Sequence, residues 1–241
     1  MIYIFFYLIL IKYKLHAIMF RELEDLFQSP TIKPTFETVH VILALFIFGD
    51  NRDGIGRYRL EKELLVGSGT AKSLIKKLNE KTKFITTFDQ NKRKGHILTK
   101  NGLAFLNKIK KSIPLINEGD SSLFKEIIIK PEKDSTYFCL VKNAIKKIAN
   151  GIAQRDAAIK IDGSGATCLV FDGKNLIFPS KSFSVKEGNL ISLDTKVQTY
   201  FESELLKEDL NLVKDDLIVI GSGDNPQKAR LATLNAALTL L

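Results

Sequence analysis

The segment from residue 36 to residue 113 contains three helical patterns, a basic hairpin and a fourth helical pattern, in that order. The first pattern has apolar residues at the three-and-four spacing of a helix that buries one face. After a turn-rich segment at 49–54, Leu60, Leu64 and Leu65 predict a short second helix. The residues that define the buried face of the first predicted helix are Phe36, Val39, His40, Leu43, Phe46 and Ile47. This order constrains the fold more than any other feature of the chain.

The third helix is predicted over residues 70–79, after a break at 67–69, and Ser68 can cap it. Its apolar side is formed by Ala71, Leu74, Ile75 and Leu78. Its opposite side carries Thr70, Lys72, Ser73, Lys76 and Lys77. The third helix therefore has a polar, basic outer face.

Residues 84–88 and 96–98 are predicted to pair as a hairpin around the basic turn at 91–94. Thr99 is then predicted to cap a last helix. The inward residues of that helix are Leu103, Leu106 and Ile109. The complete order predicts a winged helix-turn-helix, in which the hairpin is the wing.

A helix-turn-helix enters the major groove of duplex DNA with its second helix, and the first residues of that helix lie closest to the bases. Here these residues are Ser68, Thr70, Lys72 and Ser73. The residues expected to meet phosphate are Lys76, Lys77, Lys92, Arg93 and Lys94. Arg93 can also enter a narrow minor groove from the tip of the wing. Double-stranded DNA is the predicted partner.

Positive charge is concentrated in the first half of the chain. Residues 19–113 contain 18 lysines and arginines against 10 aspartates and glutamates, whereas residues 114–241 contain 16 against 17. Lysines on a small domain can simply increase its solubility. Because topology and charge agree here, nucleic-acid binding is the favoured interpretation.

Three segments are expected: an N-terminal extension at 1–18 that is non-native or disordered, a DNA-binding domain at 19–116, and a second domain at 117–241 that begins with a linker at 117–122. The apolar run at 1–11 is shorter than the ~20 residues of a membrane-spanning helix. It represents either a start codon assigned too far upstream of Met19 or an apolar arm. The protein is expected to be cytoplasmic and to have no membrane partner. In that reducing compartment, Cys139 and Cys168 are expected to be buried thiols.

The second half alternates strands and helices in the order βαββαβα. This order predicts a ferredoxin-like α/β sandwich with one added helix. The fold class of the whole chain is therefore mixed α+β, with a winged helix-turn-helix followed by that sandwich.

Two groups of residues in the second half are candidates for binding a small, anionic ligand. The first is a glycine-rich segment between a predicted strand and a helix, and it consists of Gly221, Ser222, Gly223, Asp224 and Asn225. The second is the polar trio Gln154, Arg155 and Asp156 on an otherwise small and apolar helix. A tight turn with a helix cap and a salt-bridged surface are the structural alternatives for the two groups. No cofactor or metal is indicated by either pattern.

Residues 36–113 resemble the winged-helix regulators of prokaryotes. Their combination with residues 151–158 and 221–224 is similar to an archaeal family whose C-terminal half is a domain of unknown function. The resemblance implies a cytoplasmic, transcriptional role and supplies no ligand or catalytic residue.

The leading hypothesis is a homodimeric, DNA-binding transcriptional regulator whose C-terminal domain senses a small effector. The alternative is an enzyme that acts on a nucleotide or phosphorylated molecule and carries an appended winged helix. In that case Asp156, Asp162 and Asp224 are the available acid-base groups, since the second half has no histidine. No residue is assigned a catalytic role. RNA or chromatin binding through the same basic face is a third possibility.

Overall fold

The structure is a computed structural model, and it describes residues 19–28, 33–87, 95–128, 134–179 and 193–241. The fold is mixed α+β, as predicted. It divides into two units, one within residues 19–107 and one within residues 108–240. In the described part of the chain, no helix is both long enough and apolar enough to cross a membrane.

The first unit is built around one buried helix. Its elements are a 3-10 turn at Arg21–Leu23, α1 (Glu24–Phe27), α2 (Thr38–Asp50), α3 (Arg57–Leu64), α4 (Ser68–Glu80), β1 (Ile85–Thr87), β2 (His96–Leu98) and α5 (Lys100–Lys110), whose last three residues belong to the second unit. Every residue of α2 from Val39 to Phe48 is buried. The sequence pattern predicted burial of one face only. A helix that is apolar on all sides is instead covered on all sides, which makes α2 the centre of this unit.

An isolated β-bridge connects the β1–β2 hairpin to Ile55. Ile55 exchanges both backbone hydrogen bonds with His96, each 2.9 Å long. Gly95 precedes this bridge with φ of 84°, and a Cβ atom there would lie 2.3 Å from the Ile55 carbonyl oxygen. The bridge fixes the segment between α2 and α3 against the hairpin.

Four details of this unit test the sequence patterns. The backbone N–H of Gly102 donates to Thr99 Oγ1 at 3.2 Å, which confirms the predicted cap of the last helix. Ser68 does not cap α4, because Gly67 holds the N-cap position and Ser68 is already helical. Leu65 lies just after α3 in the left-handed conformation and is 46% exposed. Leu103, predicted to point inward, is 49% exposed.

The second unit is a five-stranded antiparallel sheet with helices on both faces. Its strands are β3 (Leu115–Gly119), β4 (Ser135–Val141), β5 (Gly165–Phe171), β6 (Leu176–Ile177) and β7 (Leu217–Gly223), in the order β3-β4-β7-β5-β6. Its helices are α6 (Ile152–Lys160), α7 (Thr195–Leu206) and α8 (Pro226–Leu238). Residues 117–119, predicted to be part of a linker, instead form the end of β3 and pair with β4.

The sheet differs from the predicted ferredoxin-like sandwich. In that fold the third strand of the βαββαβ unit lies between the first two, and both helices cover one face. Here β7, the last strand, lies between β4 and β5. Phe201 of α7 packs on the face that carries Phe138, whereas α6 and α8 cover the other face. From β4 onward the order of elements along the chain agrees with the predicted one, whereas β3 was not predicted. That order does not determine which strand takes the central position.

Both cysteines are free and buried, as predicted. Cys139 on β4 and Cys168 on β5 each pair with Val219 on the strand between them. Two strand spacings separate their backbones by about 10 Å, which exceeds the ~7 Å limit for a disulfide. Burial raises the pKa of Cys168 to about 12 and raises that of Cys139 as well. Both groups are therefore protonated, unreactive core thiols at neutral pH.

Close packing of α8 on β7 gives a test of this fold. A Cβ atom at Gly221 would lie 2.4 Å from both the backbone nitrogen and Oγ1 of Thr233. We expect Gly221→Ala to lower the free energy of unfolding by about 3 kcal/mol, because the helix must move away from the sheet. Urea denaturation measures the change.

Gly69→Ala is the control, because among the described residues no atom lies within 4 Å of a Cβ there. This exposed helix position should tolerate alanine, with a change within about 1 kcal/mol in the stabilising direction. Equal effects of the two substitutions would contradict the packing described for α8.

Candidate nucleic-acid interface

Helices α3 and α4 follow one another and are joined by a short turn. After α3 ends at Leu64, Leu65 reverses the chain with φ of 52° and ψ of 39°. Helix α4 starts three residues later, at Ser68, behind its N-cap Gly67. The predicted apolar stripe of α4 is buried as expected: Ala71, Leu74, Ile75 and Leu78. Burial of this stripe leaves the opposite side of α4 at the surface.

The outer face of α4 is polar and positively charged. Ser68, Lys72 and Lys76 are exposed and follow one another at a spacing of four residues, which aligns them along one side of the helix. Residues 68–79 include no acidic residue, and the first carboxylate of the helix is Glu80, 4.0 Å from Lys76 Nζ. That exposed pair is screened by solvent. The glycine N-cap has no side chain, so the first N–H groups of α4 are available to an anion.

Two residues predicted to contact DNA are held by contacts inside the first unit. Lys77 Nζ donates to the carbonyl oxygens of Leu26 at 2.5 Å and Gln28 at 3.1 Å. Thr70 Oγ1 lies 2.6 Å from Thr35 Oγ1. Lys77 therefore anchors the end of α1 and the residue that follows it. Ser73 is half-buried, while the predicted wing residues Lys92, Arg93 and Lys94 lie outside the described residues.

The N-terminal turn of α3 adds residues that the sequence patterns did not single out. Tyr58 is 74% exposed, and the Arg57 guanidinium lies 4.9 Å from its ring centroid. Arg59 is also exposed. In a helix-turn-helix the first helix crosses the phosphate backbone. The sequence feature that could have identified this surface is the run of three residues Arg57-Tyr58-Arg59 at the start of a helix.

The polar residues predicted to bind a ligand have structural partners in the second unit. Gln154 is 2% exposed, and its Nε2 donates to Thr239 Oγ1 at 2.7 Å. The backbone N–H of Gly221 donates to Thr233 Oγ1 at 3.1 Å, so this amide is already occupied. Ser222 and Gly223 belong to the buried strand β7. The glycine-rich segment is therefore the end of a central strand that permits close packing of α8.

The two predicted ligand groups do not come together. Asn225 caps the start of α8 by accepting from the backbone N–H of Lys228 at 2.9 Å, and Asp224 pairs with Lys228 Nζ at 3.0 Å. Gln154 instead contacts Thr239, just after the other end of α8. The helix has 13 residues, which corresponds to a length of about 20 Å. The two groups therefore mark opposite ends of one helix and do not form a single site.

Arg155 lines an open cavity beside the N-terminus of α6. The cavity has a volume of about 340 Å³, and Ile127, Cys168 and Phe178 supply apolar walls. Its polar lining residues are Glu126, Asn150, Arg155 and Thr167. Arg155 Nε and Nη2 also donate to Asp156 Oδ1 at 3.1 Å and 2.9 Å. Because this pair is exposed, Arg155 can exchange partners at low cost.

No cluster of three or more His, Cys, Asp or Glu side chains with metal-binding geometry occurs among the described residues.

Residues 133–240 match a family model described as Domain of unknown function (DUF4443). Among solved structures, the chain is similar to hypothetical protein PH0730 from Pyrococcus horikoshii OT3, with 21% sequence identity and a TM-score of 0.59. The similarity covers 84% of this chain and 91% of that one, and it shows a shared fold. No curated protein matches the chain. These findings agree with a resemblance to archaeal proteins that contain a domain of unknown function.

Two lysines of α4 provide a test of the roles that the structure gives them. Lys77→Met retains an apolar stem but removes the bonds to two carbonyl oxygens. We expect it to lower the free energy of unfolding by about 1 to 2 kcal/mol, since hydrogen bonds to a charged group are among the stronger ones. Lys72→Met, on the exposed face, should change stability by less than about 0.5 kcal/mol. Thermal unfolding compares the variants, and a larger loss for Lys72→Met would contradict these assignments.

Proposed function

We propose that this protein is a DNA-binding transcriptional regulator that contacts duplex DNA with the outer face of α4 and with the β1–β2 hairpin as a wing. The observation that carries the proposal is the exposed row of Ser68, Lys72 and Lys76, which begins at the first residue of α4 and follows its outer face. Hydroxyl and ammonium groups at such positions can bond base edges and phosphates.

The arrangement around α4 supports the same function. Helices α2, α3 and α4 are followed by the β1–β2 hairpin. A β-bridge joins this hairpin to Ile55, which lies between α2 and α3. This order and pairing are typical of a winged helix. The N-terminal turn of α3 adds Arg57 and Arg59, which we assign to phosphate. The excess of positive charge in residues 19–113 also favours binding to the negatively charged backbone of DNA.

DNA binding is tested with a labelled duplex from the region upstream of the protein's own coding sequence, against a scrambled duplex, at about 50 and 200 mM salt. We expect binding to favour the upstream duplex and to weaken steeply as salt rises. Lys72→Ala should reduce the slope of log affinity against log salt by about 1, because one phosphate contact is lost. Fluorescence anisotropy gives both quantities.

Lys196→Ala is the matched control, because it removes one charge from an exposed lysine of α7. It should leave the slope unchanged. No binding above the scrambled duplex, or the same slope in wild type and Lys72→Ala, would contradict the proposal.

We further propose that the second unit senses a small anionic effector in the cavity beside Arg155. The support is one guanidinium at the edge of a cavity, next to a helix whose N-cap Gly151 has φ of 78° and no side chain. A helix N-terminus and an arginine both favour an anion. Glu126 in the same lining has the opposite preference, which favours a ligand that also carries a donor group.

Inorganic phosphate serves as the probe for this cavity. At constant ionic strength and low protein concentration, phosphate in place of chloride should raise the midpoint of thermal unfolding of the wild type, because a ligand stabilises the state that it binds. Arg155→Ala should abolish the increase. Lys160→Ala removes one charge from the same helix outside the cavity and should retain it. An increase that survives Arg155→Ala would exclude this site.

A further inference from the structure

The outer face of α6 has a composition unlike that of an ordinary solvated helix. Its inner face is held to α8 by two hydrogen bonds, from Gln154 to Thr239 and from Asn235 Nδ2 to the carbonyl oxygen of Ala157 at 2.7 Å. The opposite face carries two isoleucines that are about half exposed, Ile152 at 47% and Ile159 at 49%. Exposed isoleucines at both ends of one short helix leave apolar surface in contact with water.

The two isoleucines enclose one pair of opposite charges. At 100° per residue, the side chains of Ile152, Arg155, Asp156 and Ile159 fall within about 100° of the circumference of the helix. Arg155 and Asp156 are both exposed, with side-chain exposures of 47% and 59%. The four residues therefore form one continuous stripe, which we call the α6 stripe.

The α6 stripe is symmetric about its centre. Ile152 and Ile159 lie three residues before Arg155 and three residues after Asp156. If two copies of α6 meet antiparallel across a twofold axis at this centre, Ile152 faces Ile159 of the partner subunit and Arg155 faces Asp156 of the partner subunit. In a twofold interface the same patch must be complementary to itself. The α6 stripe meets this condition, because each isoleucine faces an isoleucine and each charged side chain faces one of opposite charge.

We propose that the α6 stripe is the dimerisation surface of this protein and that its partner is a second copy of the chain. The charges argue for self-association, because a partner of uniform charge would meet one attractive and one repulsive group. Within each protomer Arg155 already bonds Asp156, and pairing exchanges these two internal pairs for two equivalent pairs across the axis. This inference concerns the second unit alone and does not depend on DNA binding.

The length of α6 sets the expected strength. Nine residues correspond to about 13 Å of helix, so the stripe can form only the centre of an interface at the small end of the known range. We therefore expect a reversible dimer with a dissociation constant in the micromolar range. Such a dimer would be populated more strongly where both copies bind one DNA molecule.

Charge reversal tests the proposal with the full chain. R155D leaves both central positions acidic, and D156R leaves both basic, so each variant alone should repel a second copy of itself. We expect each to raise the dissociation constant of the dimer at least about tenfold, because each charge conflict occurs twice across the axis. Sedimentation equilibrium over the micromolar range measures the dissociation constant.

Mixing the two variants provides the decisive comparison. In a mixed pair every acidic position faces a basic one, so an equimolar mixture of R155D and D156R should recover the dimer. The double variant R155D/D156R restores opposite charges within each copy and should also form dimers. Because both positions are exposed, circular dichroism should show unchanged folds.

A wild type that remains monomeric at high micromolar concentration would overturn the proposal. So would variants that dimerise as the wild type does, or a mixture that stays monomeric. Any of these results would leave the DNA-binding measurement on Lys72 unaffected, so the two proposals fail separately.

Discussion

The close approach of α8 to β7 is the contact on which the second unit depends. Thr233 accepts a hydrogen bond from the Gly221 amide, and its hydroxyl lies 3.0 Å from the carbonyl oxygen of Tyr137. A Cβ atom at Gly163, which lies between α6 and β5, would be 2.4 Å from that of Ala232 on α8, so a second glycine is needed where the chain meets this helix. With α8 seated this closely, α6 is bonded to its side and the α6 stripe is left facing solvent.

The same glycines explain why the sequence indicated a ligand loop. A strand followed by glycines and a helix start fits both a phosphate-binding turn and a helix packed tightly on a strand. Local sequence cannot distinguish them, since the difference lies in which atoms occupy the space in front of Gly221. The β5–β6 hairpin and α7 occur where the predicted order βαββαβα places them. The insertion of β7 between β4 and β5 was not predicted, because strand order depends on contacts between residues far apart in the chain.

In the first unit, periodicity predicted the order of the helices, and burial of the α4 stripe confirms its inner face. Periodicity could not distinguish the roles of the residues outside the apolar stripe of α4. Lys72 and Lys77 both lie outside the apolar stripe, yet only Lys77 has the carbonyl oxygens of Leu26 and Gln28 within reach. Those partners are about fifty residues away in sequence. The distinction between a lysine available to a ligand and one that holds the fold therefore required tertiary structure.

Arg155 connects the two proposals for the second unit, because it lines the cavity and also belongs to the α6 stripe. A guanidinium turned toward an anion in the cavity has fewer donors left for Asp156 of the partner subunit. An anionic effector would then bind the monomer more tightly than the dimer, and by reciprocity pairing would weaken effector binding by the same factor. On a palindromic operator with two half-sites, loss of pairing lowers affinity for DNA. The geometry of one side chain thus predicts the direction of regulation: the effector should release the protein from DNA.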